Sequence, residues 1–454
     1  MKNICFVANY FKTDIFVEVA KVLQQHNVQV YWIVPSKKQY LELSSSYSRD
    51  RLLYIGKKEV LATEGRSMDY DLKAHELIYG DRVLREESKS WAYDYLLKLQ
   101  PLFYDFLKKN DIHHIFGEIT WAHELLAQRL VRQAKELNCQ YFSTQTVRIP
   151  NGRFAFFIDD FESHIFETNS SQTPSHAPIV LEKPSYLAIM DNHIKQQSSV
   201  KGNFKKLKNF IFRTNQDSND PTLYSNPYTL FRIRTKEIWN RIVFKRFVNE
   251  TTYDKLPKGK RYILFTLHKQ PEASIDVCGR YYENQLQLIT NIWRMLPEGY
   301  LLLVKEHSNA IGDRGLNFYK AVKRLRNTVL IHHKEDSHRL IDLCDAVFTV
   351  SGTIAYETAL KGKRSFTFAP AFFNKLNNCQ EISWKDFRNS QNLLDLINTH
   401  EESNIKEFST WLMNNSFEGI MTDAYTDPIT AKPENINKLS GGFLKVINHG
   451  SEAN

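Results

Sequence analysis

The sequence predicts an α/β protein built of two doubly wound domains. Three observations predict it. The chain opens strand–helix–strand, residues 261–368 alternate short apolar runs with amphipathic segments, and several of those apolar runs end in polar clusters.

The first run, NICFVANYF (3–11), reads as a buried strand. Ile15, Val19, Val22 and Leu23 then share one helical face, with Asp14 as the expected N-cap. VQVYWIV (28–34) is the next strand, so the opening implies a parallel sheet. Residues 36–90 are mixed and polar. Residues 91–110 form an amphipathic helix that Pro101 should interrupt. IHHIFGE (112–118) is a strand, 121–138 a helix and CQYFSTQ (139–145) a strand. Residues 168–255 lose the rhythm and read as a linker with helical pieces.

Periodicity returns with strands at 261–268, 300–307, 328–333, 346–350 and 364–368. Helices lie between them at 284–296, 316–326, 337–344 and 353–362. The expected domains are an acceptor-binding domain 1–190, a basic segment 191–256, a nucleotide-binding domain 257–400 and a helical tail 401–454.

At 454 residues with 42% hydrophobic and 24% charged residues, large cores and a globular class are expected. No run reaches the ~18 apolar residues a membrane span needs, and the N-terminus lacks the pattern of a signal peptide. The five cysteines are scattered and form no CxxC pair, so a reduced cytoplasmic protein without a structural zinc site is expected. Residues 201–246 hold eleven Lys or Arg against three acids. Phe204, Leu207, Phe210 and Ile211 interleave with Lys201, Lys205, Lys206 and Lys208. That pattern points to an anionic membrane surface on the inner face of the membrane, or to a solvated linker helix. No nucleic-acid module surrounds it.

In doubly wound sheets ligands bind beyond the carboxyl ends of the strands. YLLLV runs into Lys305-Glu306-His307, groups suited to phosphate and ribose. AVFTV runs into Ser351-Gly352-Thr353, where a helix begins. Its free N–H groups suit an anion, and ordinary capping needs the same residue types. Glu357 follows one turn later. Gln270 and Glu272 follow the strand at 261–268, and Ser337 and His338 follow that at 328–333. Four strand ends with such clusters indicate a nucleotide site.

In the first domain Glu118 closes a strand, as a general base would or as an acid at a helix N-terminus would. Thr120 and Trp121 follow it, the tryptophan suited to stacking on a sugar. Arg148 and Arg153 flank a turn suited to an anionic substrate. Asp160 is the second candidate base. Asp159-Asp160 lacks a spaced Asp-x-Asp form, so no metal is expected there.

Three runs carry a resemblance: LHKQPEAS, LPEGYLLLVKEHSNAIG and DSHRLIDLCDAVFTVSGTIAYETALKGK. They resemble the C-terminal half of bacterial capsule polysaccharide biosynthesis proteins, a family that includes Kdo transferases of the two-Rossmann GT-B fold. GEITWAHELL and RIPNGRFAFF are similar to the N-terminal half of close relatives. The resemblance spans roughly residues 110–375 and is most secure over 262–368. It implies that His307 holds the nucleotide, although Ser308 stands where the family's histidine is followed by proline. It also implies that Ser351 and Thr353 hold phosphate. The catalytic base is not fixed by the match, and Glu118 follows from position alone.

The expected function is therefore a metal-independent glycosyltransferase. It would move an acidic sugar, such as Kdo or another nonulosonate, from a CMP donor onto a polysaccharide or glycolipid acceptor, with no further cofactor. The alternatives are a UDP- or dTDP-sugar transferase, a CDP-polyol transferase, a nucleotide-sugar epimerase and a non-catalytic export adaptor.

Overall fold

The structure, a computed structural model, describes residues 2–168, 217–399, 402–423 and 427–449. The chain forms two units. Unit 1 comprises residues 1–159, 165–226 and 409–454, and unit 2 comprises 160–164 and 227–408.

The sheet of unit 1 contains β1 (Lys2–Val7), β2 (Val28–Val34), β3 (Leu52–Tyr54), β4 (His114–Gly117), β5 (Gln140–Thr146) and β6 (Arg153–Phe157). Its order is β3-β2-β1-β4-β5-β6, with β1 to β5 parallel and β6 antiparallel. Unit 2 contains β7 (Arg261–Thr266), β8 (Tyr300–Lys305), β9 (Thr328–Ile331), β10 (Ala346–Thr349), β11 (Arg364–Thr367) and β12 (Cys379–Glu381). They are all parallel, in the order β9-β8-β7-β10-β11-β12. Each sheet repeats the doubly wound order 3-2-1-4-5-6. The expected fold class is thus observed. The direction of winding reverses between β1 and β4 in one sheet and between β7 and β10 in the other. β8 shows why such strands read clearly: all six residues of YLLLVK are buried, as a strand covered on both faces requires.

The C-terminal segment is no separate tail. β13 (Phe417–Glu418) pairs antiparallel with β6, and the helix Pro433–His449 packs on the helix Lys12–Gln25. Phe443 is fully buried among Phe6, Phe16, Phe116, Phe154 and Phe156. Gly442 permits this approach, because a Cβ there would stand 2.6 Å from the Phe154 ring. Nor is 191–256 one element. Residues 217–226 join unit 1, while the helix Pro227–Phe247 belongs to unit 2. Lys201, Phe204 and the rest of 201–216 lie outside the described residues.

Three local expectations change. The first strand ends at Val7, and Asn9 to Phe11 turn into the helix. That helix starts at Lys12, with Phe11 rather than Asp14 at the cap position, because Lys12 and Thr13 are drawn into the interior. Asp14 instead lies in the first turn, where the helix dipole favours an acid. The helix Lys89–Lys109 runs through Pro101 unbroken. Its buried face, including Leu96, Leu99, Phe103 and Leu107, offsets the hydrogen bond that proline removes.

Candidate functional site

In unit 1 the winding reversal brings Asn9 and Lys12, after β1, against Glu118, after β4. Asn9 Nδ2 donates to Glu118 Oε2 at 2.7 Å, and Lys12 Nζ contacts Glu118 Oε1 at 2.5 Å. Lys12 also donates to the Thr144 carbonyl at 2.7 Å. Gly117 makes the turn possible: a Cβ there would stand 2.5 Å from Tyr141 Oη, which donates to the Glu118 carbonyl.

A second carboxylate lies behind the first. Glu124 is fully buried and accepts from Asn9 Nδ2 at 3.2 Å, from the Thr120 amide at 2.8 Å and from the Trp121 amide at 3.1 Å. Burial, and then the nearby Glu118 carboxylate, push its pKa upward. Glu118 is half-buried and borders a cleft of about 530 Å³ that Arg82, Thr120, Gln145, Thr146 and Arg148 also line. A hydroxyl entering this cleft meets a carboxylate held in one orientation by two donors.

The other expected residues of this domain take different places. Trp121 is only 4% exposed; the Arg82 guanidinium sits 4.6 Å from its ring centroid, and the Tyr10 ring lies 5.8 Å away. It is a wall of the cleft rather than an open stacking platform. Arg148 is exposed at the rim. Arg153 also borders the cleft, yet its guanidinium is taken up by Ser416 Oγ at 2.8 Å, the Met413 carbonyl at 2.9 Å and the Ser416 carbonyl. It ties β6 to the C-terminal segment. Asp160 falls in unit 2, buried in an ion pair with Arg280 at 2.9 Å. At 6% exposure, and outside the lining of the cleft that Glu118 borders, Asp160 is poorly placed to take a proton from a substrate there. Asn9, Lys12, Arg82 and Glu124 were missed by sequence reasoning, although the end of β1 offered the same strand-end signal as that of β4.

In unit 2 the ends of β7, β8 and β10 come together. His268 follows β7, with Nε2 3.0 Å from Thr349 Oγ1 and 3.2 Å from the Ser351 amide, which donates to it. Gly352 leaves room for this ring: a Cβ there would stand 2.7 Å from Thr349 Oγ1 and 3.4 Å from His268 Nε2. Ser351 Oγ donates to the Ser274 carbonyl at 2.8 Å, so it fixes the loop. Thr353 opens the helix Thr353–Leu360, one turn ahead of Glu357. His338 Nε2 lies 3.1 Å from Glu357 Oε2, and Asp336 caps the helix Ser337–Leu343 by accepting from the His338 amide at 2.7 Å. Ser337 is half-buried at that helix start.

The polar run after β8 divides. Glu306 turns inward, buried, and accepts from Arg314 Nη1 at 2.7 Å, Tyr319 Oη at 2.8 Å and the His307 amide at 2.9 Å. It holds the loop rather than facing a ligand. Lys305 is 9% exposed, and among the described residues no partner is recorded within bonding distance of its ammonium. Burial lowers its pKa, opposed by the fields of Glu306, Asp336, Glu250 and Glu335. Burial lowers the pKa of the His307 imidazole, opposed by the field of Glu272 and aided by those of Lys305, Lys269 and Arg314. Gln270 and Glu272 are engaged locally: Gln270 Nε2 donates to Asp276 Oδ1 at 3.1 Å, and Glu272 Oε2 accepts from Ser274 Oγ at 3.0 Å. His268, Lys269 and Arg314 are the additional residues here.

One group among the described residues has metal-ligand character. Glu250, His332 and His333 place potential ligand atoms within 4.8 Å of one another. His333 Nδ1 is 2.8 Å from Glu250 Oε2, and His332 Nδ1 accepts from the Lys334 amide at 3.3 Å.

No family model and no curated protein matches the sequence. Solved structures with a similar course of the chain include the β-Kdo 2,7-transferase of Thermosulfurimonas dismutans KpsC. It is 10% identical, with 98% of this chain and 99% of that chain covered at a TM-score of 0.40. The β-Kdo 2,4-transferase of the same protein is 12% identical, with 74% and 87% covered and a TM-score of 0.34. The UDP-GlcNAc 2-epimerase of Methanocaldococcus jannaschii, in complex with UDP-GlcNAc and UDP, is 10% identical, with 91% and 98% covered and a TM-score of 0.31. At these identities and scores, none of the three assigns a substrate or a residue role to this chain.

Proposed function

We propose that the chain is a metal-independent glycosyltransferase in which unit 2 binds a CMP-activated acidic sugar and unit 1 binds the acceptor. The observation that carries this reading is Lys305, a largely buried ammonium at the end of a strand that makes no hydrogen bond or ion pair among the described residues. Burial disfavours its charge against the fields of Glu306, Asp336, Glu250 and Glu335, and an anionic ligand beside it would offset that cost. β8 and β10 flank β7, so their ends lie about 10 Å apart at ~4.8 Å per strand. That span suits a sugar phosphate held by Lys305 and the N-terminus of the helix Thr353–Leu360, with His307 on the nucleoside. The positive field of Lys269 suits the carboxylate of an acidic sugar.

In the proposed reaction Glu118 takes the proton of an acceptor hydroxyl. The hydroxyl oxygen bonds the anomeric carbon, and the bond from that carbon to the phosphate oxygen breaks. CMP departs with the electron pair, its charge met by Lys305 and the helix N–H groups, with inversion at carbon. The acceptor is a polysaccharide or glycolipid. The test is release of CMP from a CMP-Kdo donor with an oligosaccharide acceptor in the presence of a chelator. Release that requires both acceptor and Glu118 supports the reading. Release only from UDP-GlcNAc, with a 2-epimer as product, would replace it.

A further inference from the structure

We infer that the helix Pro227–Phe247 is a docking face for an anionic lipid bilayer. One face of this helix is fixed in unit 2. Asn240, Val243 and Phe244 are buried, Asn240 Nδ2 donates to the Gly312 carbonyl at 3.1 Å, and the Phe244 ring meets Tyr319 at 5.0 Å. Gly312, at φ +110, is needed there, because a Cβ would stand 2.8 Å from the Glu237 carbonyl. At about 100° per residue, Ile238 and Ile242 fall on the opposite side, and Trp239 extends their stripe toward Val243. Ile238, Trp239 and Ile242 are 57%, 66% and 56% exposed. Three large apolar side chains so exposed on one helix face, with the other face anchored, need a partner.

Charge selects the partner. Lys245 borders the apolar stripe and Arg246 enters it, Arg241 at its edge donates to the Ile311 carbonyl at 3.2 Å, and the only acid of the helix, Glu237, is paired with Arg234 at 2.8 Å. A second copy of the chain would set these bases against one another. A bilayer carrying negative headgroups accepts the apolar side chains into its interfacial layer and the bases at phosphate level. Among the described residues no helix is long and apolar enough to cross a membrane, so the contact is along the surface. The inference rests on this face alone, independently of the nucleotide site.

The experiment is co-sedimentation of the full chain with vesicles of phosphatidylcholine alone or with about one-third phosphatidylglycerol. The wild type is expected to bind the anionic vesicles and to be released by salt. The pair Trp239→Ser and Ile242→Ser should bind at least about tenfold more weakly. Lys245→Gln with Arg246→Gln should lose most of the salt-sensitive binding. Nucleotide-induced stabilisation, read in parallel, should be the same in all three proteins. Equal sedimentation of wild type and both variants, or none by the wild type, overturns the inference. So does a wild-type dimer that the Trp239→Ser and Ile242→Ser pair turns into monomer, which would make the face a contact between copies.

Discussion

Lys305 closes β8 and Glu118 follows β4, two strand ends in opposite circumstances. Glu118 is met by Asn9 and Lys12, while Lys305 makes no hydrogen bond or ion pair among the described residues. Glu118→Gln keeps the size and removes the charge, so turnover should fall about 10²-fold or more while donor binding survives. Steady-state and binding assays on one preparation separate the two effects. Lys305→Met should abolish nucleotide binding with little loss of stability in the unliganded protein, since the ammonium makes no hydrogen bond or ion pair among the described residues. Loss of both would show that the lysine is structural. At this scale the sequence was only partly legible. A run such as Lys305-Glu306-His307 marks a strand end, but nothing in its pattern says which side chain turns inward. Packing against Arg314 and Tyr319 decides that, and it sends Glu306 into the interior. Arg153 was unreadable for the same reason, because its acceptors lie more than 250 residues away in sequence.

The elements themselves were easier to read where their burial is uniform. β8 and β10 are continuous apolar runs and were recognised directly. β13 has two residues, and β12 three, too few to show a period. The helix Pro433–His449 was readable as a helix but not as part of the first core, since periodicity does not name the face it will meet. Phe443 measures that membership. Phe443→Ala leaves a hole among five aromatic rings and should cost about 3–5 kcal/mol in unit 1, measured by denaturant unfolding. A cost near zero would mean that the helix is an accessory. Gly352→Ala probes the corresponding contact in unit 2. Its methyl group must displace Thr349 or His268, so nucleotide affinity should drop with little change in the stability of the sheet.

For the whole molecule, two buried imidazoles of unit 1 cost stability in acid, while carboxyls that burial pushes up, such as Glu124 to about 8 and Asp313 to about 6, add to it. Burial lowers His114 to about 4 and His123 to about 3. The unfolded chain protonates them from about pH 6.5 downward while the folded unit keeps them neutral, so the unfolded state binds more protons. Their contribution is therefore whole above pH 6.5 and is lost progressively below it. Each should remove roughly 2 kcal/mol by pH 5. Between pH 7.5 and 5 the unfolding midpoint of wild type should therefore drop relative to that of His123→Leu, the difference widening as pH falls. A difference that stays constant across that range would contradict the burial of His123. The two-unit wound architecture was legible at this scale, because two separated blocks of alternating strands and helices require two sheets. The division of chain between units was not, since the first sheet draws on residues from both ends of the sequence.

The proposed function stands or falls on a cytidine nucleotide held through Lys305 at the strand ends of unit 2. The most direct measurement is the unfolding midpoint with CMP, CDP, UDP, GDP and dTDP, each with a chelator and with Mg²⁺, in wild type and Lys305→Met. A ligand at ~100 times its dissociation constant adds roughly 2.7 kcal/mol. The account predicts that CMP stabilises the wild type most, equally with chelator, and that Lys305→Met loses the effect. Stabilisation by UDP alone, stabilisation only with metal, or an undiminished CMP effect in Lys305→Met would contradict it.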